Sequence, residues 1–398
     1  MSVKAFITDL DGTLFADAYS LVAGYDKALT QLQQLGLKIV IFSNLSHRIV
    51  DRRMKLLPIT PDLVLTREDV GIPKGSPLWI NKVCTDLKLD KNEVVYIGDR
   101  DHDMQTAVNS KIIYLNAEWS NPGYKYGIPV SSPGILPAIL KHFFLKKHLW
   151  YWNVDTSDLR GNPVISRALI QDRDIGVNNF RDNLLRWSKQ GIDSQVGSVT
   201  MSEFMIYLLL GSLYLDGMYS EIDTVAIIPG HAGGHNPLMG KNLHRMARLF
   251  RDTFLPNLLH RHTIARKSAY VRYAGESPTF RDQVLTMCLD CDPKDRGKMI
   301  EGKIILVTDD FVTQGFSTEW ARNLLYNAGA KEVISVTIGA FHDAIEVQSI
   351  AKEFRWDSFN PVDIDDKYIV SKEVLAIKNP KALETIVDSY KELIGTQP

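Results

Sequence analysis

Two aspartates, Asp9 and Asp11, follow a short apolar run, Val3–Thr8, that reads as a buried strand. Two residues apart at a strand end, both can face one site. Their carboxylates would repel each other there and need a cation, and Mg2+ suits oxygen ligands. One carboxylate can then attack phosphorus while the other moves a proton to and from the leaving group. Three further pieces follow in order. A second apolar run, Ile39–Phe42, ends in Ser43, whose hydroxyl can hold a phosphate oxygen. Lys74, in a Gly- and Pro-rich turn before a helical pattern, can neutralise both nucleophile and phosphate. The run Val94–Gly98 ends in Asp99, with Asp103 four residues on, a pair suited to metal coordination.

In this order the four pieces resemble the motifs of the haloacid dehalogenase (HAD) superfamily, over about residues 1–145. The resemblance implies that Asp9 is the phosphoryl-accepting nucleophile and Asp11 the general acid/base. It implies that Ser43 binds phosphate and Lys74 orients it. Mg2+ would be held by Asp9, Asp99 and the backbone carbonyl of Asp11, with Asp103 in support. Asp101 reads as a solvated helix start. About 25 residues separate the first motif from the second strand, and 31 separate Ser43 from Lys74. Neither gap holds a large inserted cap, so the site is expected to be open unless the second half or a partner subunit, as in a homodimer, covers it. Phosphate-monoester hydrolysis is the commonest activity of capless relatives.

A second chemistry lies at 303–317. An apolar strand runs into Asp309 and Asp310, then the turn Thr313-Gln314-Gly315, then a helix opening with Phe316 and Ser317. Such a turn and helix start present backbone N–H groups to a phosphate. Thr313 and Ser317 add hydroxyls, and adjacent acids suit a pair of ribose hydroxyls. This stretch resembles the phosphoribosyl pyrophosphate (PRPP) motif of type I phosphoribosyltransferases, with Gln314 where the family has Thr or Gly. Upstream, a strand over 223–228 ends in Pro229-Gly230-His231, where such relatives place a pyrophosphate loop. Arg261 and the basic stretch holding Arg266 and Lys267 sit where a mobile loop would close over pyrophosphate. This resemblance covers about residues 200–345. It implies Mg2+-chelated pyrophosphate leaving C1 of the ribose through an oxocarbenium-like transition state, with protein groups positioning and neutralising it.

The elements that must position these groups alternate strand and helix in both halves. The expected fold is α/β, with two Rossmann-like parallel-sheet domains: a HAD-like unit over 1–147 and a phosphoribosyltransferase-like unit over 148–398. The core of the second is placed at about 200–345, with a helical stretch, roughly 167–215, as a hood for a base-like acceptor. Helices are expected at 26–35, 77–87, 101–110, 241–259 and 317–328. A net charge of −1 gives no field for a nucleic-acid or membrane polyanion. Three cysteines exclude a disulfide scaffold and favour a reducing, cytoplasmic setting. Cys288 and Cys291 have metal-like spacing without the second pair a structural zinc needs. The longest apolar run, Phe204–Leu215, is too short to span a bilayer and reads as a buried helix.

Together these readings predict a bifunctional enzyme. PRPP-dependent transfer would feed a phosphatase, giving a nucleoside-like product. The competing expectation is a phosphatase controlled by a PRPP- or nucleotide-sensing half that does not turn over.

Overall fold

The computed structural model describes residues 2–145, 150–266 and 278–395. The first sheet has six parallel strands in the order β3-β2-β1-β4-β5-β6. They are β1 (Ala5–Asp9), β2 (Lys38–Ser43), β3 (Leu63–Thr66), β4 (Val94–Gly98), β5 (Ile113–Ala117) and β6 (Ile128–Val130). Strands β1, β4 and β5 are buried along their whole length, as a parallel sheet covered on both faces requires. The chain reverses winding between β1 and β4, so the carboxyl ends of β2, β1 and β4 open on one crevice. Helices Tyr25–Gln34, Leu78–Leu87 and Asp101–Asn109 form where expected. Strands β3 and β6 are additions: at four and three residues they are too short to show a period. Between Ser43 and Lys74 lie only the helix His47–Met54, β3 and one short turn of helix, so no cap domain is inserted there.

The second sheet departs from expectation at its edges. Its order is β12-β11-β15-β16-β8-β7-β19. Here β7 is Trp152–Ser157, β8 Pro163–Gln171, β11 Thr224–Ile227, β12 Thr253–Leu255, β15 Ile304–Val312, β16 Glu332–Ala340 and β19 Ile377–Lys378. The run from β12 to β8 is parallel, while β7 and β19 pair antiparallel. Strand β8 corrects the expected helical stretch from 167, since its buried side chains pack on β16. Helix Pro237–Phe250 also stops short of the expected 259. Arg251 turns left-handed (φ 62°), and β12 begins two residues later. Three hairpin-like pairs complete the fold: β9 (Gln195–Val196) with β10 (Val199–Thr200), β13 (Leu259–Arg261) with β14 (Met287–Leu289), and β17 (Ala344–Ile350) with β18 (Ile369–Leu375). The expected boundary at 147/148 lies outside the described residues.

The helix Met201–Leu215 joins the two halves. All its side chains but Glu203 are buried, so it is apolar all round, the mark of a helix packed on every side. Tyr207 Oη donates to the Pro129 carbonyl of β6 at 2.7 Å, and Tyr214 Oη to the Val94 carbonyl at 2.6 Å. The Phe204 ring meets Phe143 of the first half at 5.5 Å between centroids, and Phe180 and Tyr390 of the second at 5.7 and 5.8 Å. One hydrophobic core thus runs through both sheets. Among the described residues no helix is long and apolar enough to cross a membrane.

Candidate active site

Asp9 ends β1 and is 3% exposed. Lys74 reaches it from the loop after the short helix Arg67–Val70. That loop is pinned at three points. The Lys74 amide donates to Asn44 Oδ1 (2.9 Å), the Gly75 amide to Thr106 Oγ1 (2.6 Å), and Asn109 Nδ2 to the Gly75 carbonyl (2.7 Å). The buried Lys74 ammonium lies between two carboxylates, ion-paired to Asp9 and 2.6 Å from Asp103 Oδ1. Asp103 is fully buried and also accepts from Tyr96 Oη (2.6 Å) and from the Arg100 amide (3.2 Å).

Asp99, at the end of β4, is fixed by two hydroxyls: Thr13 Oγ1 to Oδ1 (3.1 Å) and Ser120 Oγ to Oδ2 (2.9 Å). Gly12, at φ 84°, lets the backbone pass close to it. A Cβ there would lie 2.5 Å from Asp99 Oδ2. Oxygens of Asp9, Asp99 and Asp103 all lie within 4.8 Å of one another. Asp9 and Asp103 share the Lys74 ammonium, and the exposed Arg100 Nε lies 3.7 Å from Asp99 Oδ2, so the buried charge inside the cluster is three carboxylates and one ammonium, an excess that a hard divalent cation would balance, and all-oxygen donors suit Mg2+. The residues present therefore fit the cation.

The other first-half residues take distinct places. Ser43 is buried one residue past Phe42, the cross-strand partner of Asp9, and its Oγ accepts from the Leu45 amide at 3.1 Å. The Asp11 side chain is apart from the acid cluster, 42% exposed and ion-paired to Arg53. Arg53 comes from the helix His47–Met54 and lies over the Phe15 ring, 5.6 Å from its centroid. Asp101 accepts from Tyr124 Oη at 2.5 Å, outside the acid cluster. Reasoning from the sequence missed Arg53, Asn44, Tyr96, Ser120 and Asn121, since none lies in a spaced acidic motif.

Burial, reinforced by Asp103 and Asp99, pushes the Asp9 carboxyl up to about 8 in the metal-free chain, against the pull of Lys74. Below that pH the carboxyl holds its proton, and a cation must displace it. Mn2+ affinity of the full chain is therefore expected to rise as pH climbs from 6 to 8, by up to about tenfold per unit, and then level off. Titration calorimetry in buffers of different ionisation enthalpy checks this. Flat affinity without proton release would contradict it.

In the second half, the Pro229–Gly230 turn follows β11 and the Thr313–Gly315 turn follows β15. Arg261, at the end of β13, donates from Nε to the Gly230 carbonyl (3.0 Å), from Nη1 to Thr286 Oγ1 and from Nη2 to Gln283 Oε1 (both 2.6 Å). Gln283 Oε1 also accepts from Ser317 Oγ at 3.0 Å. One glutamine therefore ties the Pro229–Gly230 turn to the helix Phe316–Asn327. Gly315, at φ 86°, opens that helix, where a Cβ would meet Ile345 at 3.1 Å.

The acids differ from expectation. Strand β15 continues through them to Val312, with Asp309 opposite Thr337, so they lie within the sheet rather than after it. Burial and Asp310 push the Asp309 carboxyl up to about 8, while burial pulls the Arg261 guanidinium down to about 10 against the pull of Asp309. Asp310 is ion-paired to Lys189 of the helix Asn178–Gln190. Phe316 turns its ring to Phe280, 6.3 Å away. The His231 carbonyl accepts from the Ala265 amide, and the Gln314 carbonyl from the Glu346 amide. Thr313 leads from β15 into this turn. Lys267 lies outside the described residues. Among the described residues, Cys288 and Cys291 belong to no cluster of metal ligands. Lys189, Gln283 and Thr286 carried no signal in the sequence.

Residues 3–117 match the family model of haloacid dehalogenase-like hydrolases. The structure of a HAD-superfamily hydrolase, subfamily IA, from Geobacter sulfurreducens is 15% identical. The match covers 35% of this chain and 96% of that one, with a TM-score of 0.32. A HAD-superfamily hydrolase from Ehrlichia chaffeensis is 14% identical over 35% of this chain and 97% of its own, with a TM-score of 0.31. The comparison with curated proteins finds no match. The N-terminal part of the chain is thus a haloacid dehalogenase-like hydrolase domain.

Proposed function

We propose that the first half hydrolyses phosphate monoesters and that the second transfers a phosphoribosyl group from PRPP to a base-like acceptor. The observation that carries the first assignment is the placing of a buried Asp9 against Lys74, Asp99 and Asp103, with Asp11 two residues on, partly exposed and ion-paired to Arg53. Asp9 Oδ attacks phosphorus, and the leaving alcohol takes its proton from Asp11, which is ion-paired to Arg53. Asp11 then draws a proton from the water that attacks the aspartyl-phosphate, freeing Asp9 and inorganic phosphate. Ser43 and Lys74 steady the transferring oxygens. Asp9, Asp99, Asp103 and the carbonyl of Asp11 would hold Mg2+, which neutralises charge on the phosphoryl group when bound.

For the second half, the supporting observation is the Gly230–Arg261–Gln283–Ser317 linkage beside Asp309. It gathers a cation, a hydroxyl, a Gly turn and a helix start at neighbouring strand ends, a set suited to phosphate and ribose. The two activities together would yield a dephosphorylated, nucleoside-like product.

The Asp9→Asn chain, incubated with PRPP, Mg2+ and a small-molecule cell extract, is expected to release pyrophosphate and accumulate a phosphorylated product visible by mass spectrometry. The same chain carrying Asp309→Asn and Asp310→Asn is expected to lose this by at least about 100-fold. PRPP binding without pyrophosphate release, even with the acceptor supplied, would favour a sensor half. The Lys189–Asp310 ion pair, which already occupies one of the two acids, is the feature that reading would rest on.

A further inference from the structure

The loop after β5, residues 118–127, touches both halves of the molecule. On its inner side Ser120 Oγ donates to Asp99 Oδ2 (2.9 Å) and Asn121 Nδ2 to the Asp99 carbonyl (2.7 Å). Trp119 Nε1 donates to the carbonyl of Thr13 (3.1 Å), whose own hydroxyl holds the other Asp99 oxygen. Tyr124 Oη reaches Asp101. On its outer side the loop meets the helix Pro237–Phe250 of the second half. Arg245 Nη2 donates to the Tyr124 carbonyl at 3.3 Å, and the Arg248 guanidinium lies over the Tyr126 ring, 5.1 Å from its centroid.

The loop has no helix or strand of its own and turns at Gly123 and Gly127, both at positive φ. Its first turn is held by backbone bonds, the Ser120 and Asn121 amides to the Ala117 carbonyl at 3.1 and 3.0 Å, while the stretch from 122 to 127 has many backbone states to lose on ordering, so its shape depends on the side chains that grip it. Two of those grips come from one face of a helix, three residues apart. That helix is itself anchored: Asn236 caps its start and donates from Nδ2 to the carbonyls of Trp187 (2.9 Å) and Ser188 (2.8 Å).

We propose that Arg245 and Arg248 are positioning residues for the cation site. By holding the loop they keep Ser120 and Asn121 on Asp99, so the second half sets how tightly the first binds its divalent ion. The inference rests on reading Asp9, Asp99 and Asp103 as the cation site. Partners of a ligating carboxylate orient it, and their removal characteristically weakens metal binding about 10- to 100-fold. A contact one step further out is expected to have a smaller effect.

The test uses the full chain and Mn2+ alone, followed by calorimetry. Ser120→Ala is expected to raise the Mn2+ Kd about tenfold. The Arg245→Gln/Arg248→Gln double variant is expected to raise it about 3- to 10-fold, and Arg245→Lys/Arg248→Lys, which keeps both cations, to stay within about threefold of wild type. The thermal midpoint without metal separates positioning from stability. A merely structural pair of arginines would lower the midpoint and leave Kd unchanged, and that result overturns the inference. Tyr126→Leu removes the Arg248 seat from the other side, so it serves if the double variant does not fold, with the same rise expected and an unchanged Kd overturning the proposal. Failure of the underlying reading looks different: wild type would not bind Mn2+, or Asp99→Ala would bind it as wild type does.

Discussion

Replacing Asp9 by asparagine is expected to lower kcat for p-nitrophenyl phosphate hydrolysis by about a thousandfold or more, while the chain stays folded. The loss is large because an amide oxygen is a poor nucleophile toward phosphorus and no other group among the described residues stands in the same place. The fold should tolerate the change for a reason visible in the charges. Asp9 and Asp103 share one buried ammonium with Asp99 close by, and burial already holds the Asp9 carboxyl toward its neutral form. A carboxyl whose pKa is raised on folding weakens the folded state as pH climbs through its unfolded value, near 4, towards about 8. A neutral amide removes that penalty. The metal-free variant should therefore melt no lower than wild type at pH 8.5, and activity and melting measured together decide the matter. A variant that still turns over at a tenth of the wild-type rate would remove Asp9 from the role proposed for it.

The second large effect concerns the seam. Phe204 is fully buried, with Phe143 on one side and Phe180 and Tyr390 on the other. Truncation to alanine deletes an aromatic side chain from a core that can collapse only by moving one sheet against the other. The expected loss is about 3–5 kcal/mol, a large share of the roughly 5–15 kcal/mol that holds a typical folded chain together. Because the core is continuous, the loss should appear in one transition. Urea unfolding can be followed by Trp79 and Trp119 in the first half and by Trp187 and Trp320 in the second, each retained singly in turn, and all four should shift together. Two transitions, only one of them moved, would mean that the halves fold separately.

Much of the first site was legible in the sequence because its chemistry sits on long buried strands and their ends. Asp9, Ser43 and Asp99 each follow an apolar run, and the run announces the strand. Lys74 was legible for its place in the order of motifs, although the contacts that aim its loop come from two other segments, Asn44 after β2 and Thr106 and Asn109 on the helix Asp101–Asn109. Asp11 shows the limit. Its spacing from Asp9 placed it at the site, yet nothing in the spacing foretold Arg53, which reaches it from 42 residues on. In the second half the β15 acids were legible as a pair, but not their position inside the strand. Continuation to Val312 depends on pairing with Phe341's neighbours on β16, and Gly339 there leaves room for the Phe311 ring: a Cβ at Gly339 would sit 2.2 Å from it. Gln283, which ties two loops together, lies on a four-residue helix with no periodicity to read.

The wholly buried helix Met201–Leu215 also bears on how the chain is made. The first sheet leaves the ribosome well before this helix does. At about 5–20 residues per second, the stretch from 145 to 215 takes roughly 4–14 seconds to synthesise. Throughout that interval Phe143 and the carbonyls of Val94 and Pro129 face water instead of Phe204, Tyr214 and Tyr207. Closure comes later still, since Tyr390, stacked on Phe180 at 4.5 Å, belongs to the last helix described. A nascent first half therefore carries an uncovered apolar face until this helix emerges, a natural target for chaperones, and a chain terminated before it would keep that face for good.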